Sequence, residues 1–360
     1  MADGSDALPD MKFARAVIVG AGSSSATPML SCALSNQPCP SCLDAMSNRS
    51  SRNHRLNPSF LIQLYHPSDH TIHNILIDCG KTFRESALKV FPSFHVRDFS
   101  ALLITHGHAD ASYGIDDMRE FNRPGTSLEV FADAATLKCM RGVYPYLFPE
   151  SPSGESVCQS TGDNANKKKF VATIKWKPFV SLERSKLLIS PRPSAVASAG
   201  SADGLGGGKS ASAAVWSLVP IAVPHGEDYF ANAFLLPLHA RCEPPRLLLY
   251  VSDISKLEDN FFADLARAKK LLGAPQTASI EVLVIDMLSR KPYVSHLHVE
   301  ASIAAAKLIN ATKTYFVGMS HRLEYTEMMA ELQDRGLANS MEIGYDGCVV
   351  ALGDVGLQRL

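Results

Sequence analysis

The chain lacks any long hydrophobic run: none of the apolar stretches in its 360 residues approaches the length needed to span a bilayer as a helix. It also lacks an excess of charge of either sign. Lys and Arg number 35 against 36 Asp and Glu, for a net charge of −1, so no global field draws polyanions, and a dedicated nucleic-acid binder is disfavoured. Small phosphate esters stay open, because a metal centre supplies its own local positive charge. The first residues, MADGSDALPDMKFAR, contain no apolar h-region and carry acidic side chains, unlike a secretory or transit peptide. The eight cysteines lack the regular spacing of a disulfide framework, and several sit in strand-like apolar runs, which points to a reducing compartment. These absences together lead us to expect a cytoplasmic enzyme of small molecules with no membrane or nucleic-acid partner. A homodimer is compatible with the sequence, which carries no mark of oligomeric state.

What the chain does have is concentrated in Ser100 to Phe121, SALLITHGHADASYGIDDMREF, where an apolar run empties into His106, His108 and Asp110. A strand over Ala101 to Ile104 ends where the backbone can turn, and Gly107 leaves room for two imidazoles to converge. Neutral imidazole suits zinc, manganese or iron. Asp110 adds an anionic oxygen that can bind a cation or take a proton from activated water. An isolated HxH followed by an aspartate also describes two turn histidines and a helix cap, but three further apolar runs end in ligand-type residues. Trp216 to Val223 leads to His225 in VPHG, Leu247 to Val251 leads to Asp253, and Thr314 to Val317 leads to His321. Four strand ends carrying His or Asp are what a metal site requires.

Short strand-like runs at Ala16 to Val19, Phe60 to Tyr65 and Asn74 to Ile77 open the chain, and the last ends in IDCG with Asp78 at its tip. That position suits a carboxylate that orients a metal-binding histidine from behind. A strand over Leu128 to Phe131 precedes a helix over Ala134 to Met140. Strands near Leu247, Val282 and Tyr315 then alternate with helices over Val299 to Ile309 and around Thr326 to Gln333. This order suggests two sheets sandwiched between helices within one domain over residues 1–360. Two stretches read as inserted surface loops, 151–169 and 194–214, the second almost wholly Ala, Ser and Gly. Tyr144, Tyr146 and Phe148, just before the first, either pack or wall the active site.

The order of these pieces resembles the metallo-β-lactamase superfamily, whose hallmark is HxHxDH followed by a distant His, Asp and His. The chain keeps His106, His108, Asp110, His225, Asp253 and His321 and departs at Ala111, where the pattern has a second-metal histidine. Within that superfamily it is similar to the branch of the phosphonate-operon cyclic phosphodiesterase and its eukaryotic HADA-motif relatives, from GAGSSSATP to GMSH. The resemblance implies an α/β fold of four αββα layers. It also implies one or two active-site ions, Zn2+ or Mn2+, held by His106, His108 and His225 with Asp110, Asp253 and His321. It assigns His296, in HLHVEASI, to help the leaving group, with His298 the lesser candidate and a plain helix-start histidine the alternative. Cys32, Cys39 and Cys42, the last two in CPSC, fit three ligands of a structural zinc. The resemblance places the fourth a few residues past the last metal histidine, where Arg322, Leu323, Glu324 and Tyr325 stand and Glu324 is the candidate; three reduced cysteines or a redox pair are the alternatives.

The resulting expectation is a metal-dependent hydrolase, a phosphodiesterase acting on a small phosphoester, cyclic nucleotides among the candidates, with Asp110 orienting or deprotonating water and His296 protonating the leaving alkoxide. Thioester hydrolysis, β-lactam hydrolysis, transfer-RNA processing and a non-catalytic metal-binding role with a degraded second site are the competing readings. Asp116 and Asp117 are expected to brace the following helix, and Arg119 either to contact phosphate or to form an ion pair.

Overall fold

Runs rich in branched and aromatic residues form Lys12–Gly20 (β1), Ser59–Tyr65 (β2) and Ile72–Ile77 (β3), which pair antiparallel in a computed structural model that describes residues 10–121, 127–148, 173–190, 213–239 and 245–353. β3 pairs in parallel with Ala101–Leu103 (β4), β4 with Ser127–Ala132 (β5), and β5 with Thr173–Pro178 (β6). Cys348–Leu352 (β14) closes onto the other side of β1, giving a seven-stranded sheet in the order β14-β1-β2-β3-β4-β5-β6. A second seven-stranded sheet repeats the plan. Ser185–Ile189 (β7), Ala214–Pro224 (β8), Phe230–His239 (β9) and Arg246–Val251 (β10) are antiparallel. Ser279–Asp286 (β11), Lys313–Val317 (β12) and Met341–Ile343 (β13) follow in parallel.

Parallel neighbours need crossovers, and helices supply them. Phe83–Phe94 (α3) links β3 to β4, Phe261–Leu271 (α7) links β10 to β11, Val299–Ile309 (α8) links β11 to β12, and Tyr325–Asp334 (α9) links β12 to β13. The period-two alternation of β2 shows why both faces of the first sheet are covered. Phe60, Ile62 and Leu64 point to the core shared with the second sheet, where the Phe60 and Tyr250 rings stack with centroids 5.0 Å apart. Leu61 points the other way, into a cluster with Phe83 and Phe91 of α3. Helix, sheet, sheet, helix is the four-layer αββα arrangement expected from the sequence.

The expected strands and helices appear with ends shifted by a few residues. Several elements were not anticipated, among them α3, α7 and β9. β9 carries Pro237 in its interior, which argues against a strand, and the ladder accommodates it at a register shift against β10. The insertion expected at 151–169 lies outside the described residues, as does that at 194–214 apart from its end, where Ala214 already opens β8. Among the described residues no helix is long and apolar enough to cross a membrane.

A buried carboxylate ties the chain's two ends to its middle. Asp346, just before β14, accepts the backbone N–H of Ala21 (3.0 Å) and of Leu56 (3.1 Å) and the Lys89 ammonium of α3 (3.0 Å). Lys89 also donates to the His54 carbonyl (2.6 Å). Asp346→Ala leaves two buried N–H groups and a cation without their acceptor and should lower the unfolding free energy by about 3 kcal/mol. Urea denaturation of the single variant and of Asp346→Ala with Lys89→Met checks this, the double variant recovering part of the loss; an unchanged midpoint in the single variant contradicts it.

Candidate metal centre

The carboxyl ends of β3, β4, β8, β10, β11 and β12 bring ligand-type residues together at one edge of the two sheets, where sites in open α/β sheets form. His106 and His108 follow β4. The Asp78 carboxylate, in the turn after β3, accepts both the Thr105 N–H (2.8 Å) and the Thr105 hydroxyl (2.8 Å). With its proton committed there, Thr105 Oγ1 accepts from His106 Nδ1 (2.9 Å), which fixes the tautomer and leaves Nε2 with a lone pair. Asp78 therefore orients His106 through Thr105. Nε2 of His106 is buried without a hydrogen-bond partner, and burial holds its pKa well below the usual histidine range, keeping the ring neutral.

His225, in the turn closing β8, is fixed in the same sense, since its Nδ1–H donates to the Ser295 carbonyl (2.8 Å) and its Nε2 is left to face the site. Burial lowers its pKa as well. Nε2 of His225 lies 3.2 Å from Nδ1 of His108, and the three ligand atoms of His106, His108 and His225 all lie within 4.8 Å of one another. Two neutral rings aimed by partners at one point, one bearing an orphaned buried nitrogen, suit a divalent cation such as zinc or manganese. His108 is exposed, and Tyr229 covers it: the rings stack at 4.5 Å and 8°, and the Tyr229 hydroxyl accepts the Gly107 N–H (3.1 Å). A side chain at Gly107 would press on Cys139 and on that hydroxyl.

Asp253, after β10, forms a second group with His225 and His296. Its Oδ1 is 3.9 Å from His225 Nε2 and 3.8 Å from His296 Nδ1. Nδ1 of His296 donates to Asp286 at the end of β11 (2.9 Å), which leaves Nε2 for a substrate atom. Burial alone would lower the His296 pKa, but Asp286, Asp253 and Asp110 outweigh it and raise the group to about 9. Burial raises Asp286 to about 7 against the pull of His296, so the pair carries a proton at neutral pH and the imidazole holds it. Asp110 is buried on Ala109–Ser112 (α4), joins neither ligand group, and acts on the charges of His106 and His296 from nearby. Ala111 buries its methyl group and gives its carbonyl to the Cys79 N–H (2.8 Å).

His321 is the correction. Expected to serve a second active-site ion, it groups instead with Cys32, Cys39 and Cys42, its Nδ1 lying 3.3 Å from Cys39 Sγ and 3.5 Å from Cys42 Sγ. It completes a Cys3His group of the composition that closed tetrahedral zinc sites use, and these four side chains would hold such an ion. Glu324, the sequence candidate, is occupied elsewhere: it caps α9 by accepting the Glu327 N–H (2.8 Å) and takes the Asn53 side-chain amide (2.6 Å). The cysteines sit around Leu30–Ala33 (α1) and Pro40–Ser47 (α2), and the buried Arg55 guanidinium pins the opposite turn through the carbonyls of Ser320 (3.0 Å) and Leu323 (2.7 Å). At the end of β12 itself stands Gly318, φ +76°, where a Cβ would collide with Asp286 Oδ1. With no ligand-type side chain at 111 or 318 and His321 beside the thiols, this edge holds, among the described residues, the three-imidazole group and the group of Asp253 and His296 that shares His225 with it.

Among the residues considered from the sequence, Arg119 pairs with Asp116 (3.2 Å) and Asp117 with Arg84 (3.1 Å), both on the surface, while Phe148 stacks on Trp176. His298 is the N-cap residue of α8, two positions beyond His296. Sequence reasoning missed Thr105, Tyr229, Ser295, Asp286 and Arg55. Only Asp286 had a signal, since IEVLVID ends in an aspartate just as the run before Asp253 does.

A family model described as "Beta-lactamase superfamily domain" matches residues 73–180, which include His106, His108 and Asp110. Among solved structures, a diphosphatase from the PhnP family is similar at 21% identity and TM-score 0.61, over 94% of this chain and 98% of that one. Zinc-bound PqqB from Methylobacterium extorquens is similar at 14% identity and TM-score 0.61, over 94% and 100%. The short form of human tRNase Z is similar at 11% identity and TM-score 0.51, over 94% and 98%. No curated protein matches the chain. The chain has the metallo-β-lactamase fold, and the matched domain carries its HxHxD motif.

Two separate ligand sets predict two ions per chain. Elemental analysis of purified protein should find His106→Ala short of one ion and His321→Ala short of the other. Loss of both ions in His321→Ala while the fold is retained, or no loss at all, contradicts the assignment of His321 to the cysteines.

Proposed function

We propose that the protein is a metal-dependent hydrolase of small phosphodiesters, cyclic nucleotides included, working with zinc or manganese. The observation that supports this reading most is the pairing of a three-imidazole site with a proton-bearing histidine beside it: His106, His108 and His225 form one group, and the His296–Asp286 pair meets it at His225, with Asp253 close to both His225 and His296. His106, His108 and His225 would hold a divalent ion, which when bound would supply Lewis acidity for the attacking water and the phosphoryl group. Asp110, close to both His106 and His296, takes the proton of the attacking water. The bond from phosphorus to the leaving oxygen breaks with its electron pair on that oxygen, which takes the proton from His296 Nε2. Asp286 holds the opposite nitrogen, so the proton donor is aimed without being consumed as a ligand. The near-neutral net charge favours a small substrate over a polynucleotide.

A panel of phosphodiesters, 2′,3′-cyclic nucleotides among them, tests this with protein loaded with zinc or manganese. Metal-dependent turnover that disappears in His106→Ala is expected; a loaded protein that cleaves thioesters and no phosphodiester overturns it.

Asp286 is a positioning residue, acting through His296. Asp286→Asn should lower kcat about a hundredfold with KM and metal content unchanged. Equal loss in Asp286→Asn of metal content and of kcat would indicate a purely structural role.

A further inference from the structure

His296, whose ring meets that of His225 at 4.9 Å, also borders a cavity of about 370 Å³. Its walls are the loop that follows Asp253, the loop that carries His296, and the outer face of α8. The helix contributes Ala301, Ala304, Ala305 and Leu308, so most of that face is flat and methyl-lined. Opposite stands Leu257, and at the rim Tyr293 is 62% exposed with its ring centroid 6.0 Å from that of His296. Leu308 is 65% exposed. A solvent-facing tyrosine and leucine with the alanines of α8 form an apolar surface open to solvent among the described residues. Lys256 also lines the cavity and is paired with Glu258 at 3.3 Å, and His298 and Ser255 complete the polar part of the lining.

We propose that this cavity binds the leaving group of the substrate, and that the leaving group is an alcohol bearing a flat aromatic body, of nucleobase or aryl type. The proposal rests on the phosphodiesterase reading for its orientation: the proton donor of the leaving oxygen is part of the cavity wall, so the remainder of the departing alcohol extends into the space beside it. The chemistry of the walls then selects what departs. An aromatic ring laid on the alanine face, with Tyr293 and Leu308 at its edges, gains burial and ring contact. A methyl or glycerol group covers little of that surface. Ala304 is exposed on the helix, so a larger residue there changes the cavity without entering the core.

Calorimetric binding of diphenyl phosphate and of dimethyl phosphate to zinc-loaded protein tests the cavity apart from catalysis. Diphenyl phosphate should bind about tenfold more tightly, and the preference should fall below about threefold in Ala304→Phe, which fills the space, and in Tyr293→Ala, which removes its aromatic edge. Equal affinities in the unaltered protein, no binding of either ester, or a preference untouched by both variants overturns the proposal. Hydrolysis of bis(p-nitrophenyl) phosphate, measured in parallel, separates the two ideas. Turnover without a binding preference removes the cavity and leaves the phosphodiesterase; a preference that follows the variants without turnover does the reverse.

Discussion

One buried carbonyl, that of Thr105, joins the two sheets at the point where the metal loop begins. Asn232 of β9 reaches it twice, through its backbone N–H (3.0 Å) and its side-chain amide (2.8 Å), and the same amide donates to Asp133 Oδ2 (2.8 Å). The other polar groups of Thr105 are taken by Asp78 and His106. A single residue therefore bonds to a strand of the second sheet, to the carboxylate behind β3 and to the ring whose tautomer it fixes. Buried polar groups that are fully satisfied specify one geometry, because every alternative leaves a donor or acceptor unmet. His225 then arrives from the second sheet already fixed against Ser295. The convergence of the imidazoles is a consequence of how the sheets are bonded, not of flexibility in the loop.

The destination of His321 decides how the edge divides its cations. Its Nδ1 lone pair can serve one ion, and the cysteines claim it. Burial pushes the Cys42 thiol up to about 12, so a bound cation is what would hold it as thiolate. Arg55 is fully buried against the same turn, and its guanidinium adds positive charge beside the thiols while holding the carbonyls of Ser320 and Leu323. A loop with few apolar residues of its own is thus fixed by polar bonds and, when loaded, by metal.

The sequence made the site legible where chemistry follows a simple local rule. Apolar runs ending in His or Asp marked His106, His108, His225 and Asp253, and the order of strand-like runs and helices, with the helical period of α8, marked the layers. It misled where the choice depends on three-dimensional competition. His321 ends an apolar run like the others, but its neighbours across the chain are Cys39 and Cys42, some 280 positions away, and spacing carries no record of that. Tyr229 and Ser295 were silent for the same reason: a ring that stacks on a ligand and a backbone carbonyl that fixes a tautomer need no particular sequence. α3 was missed because its interior ends on Pro92, although its apolar face packs well beneath the first sheet.

The uneven distribution of ligand-type side chains along the edge has an electrostatic consequence. Asp78, Asp110, Asp253 and Asp286 are all buried around the imidazoles, and a chain with ligand side chains at 111 and 318 would offset that charge with a second ion. Here those two positions are an alanine and a glycine, and the His296 imidazole lies between Asp286 and Asp253 with its proton held up by both. A protonated histidine placed there balances carboxylate charge as a second cation would, and unlike an ion it can give its proton away. On the phosphodiesterase reading proposed above, the alanine at 111, the glycine at 318 and the His296–Asp286 pair would act as one arrangement: a single ion would serve the attacking water, and a paired imidazolium would stand in place of the second, beside the cavity proposed for the leaving alcohol.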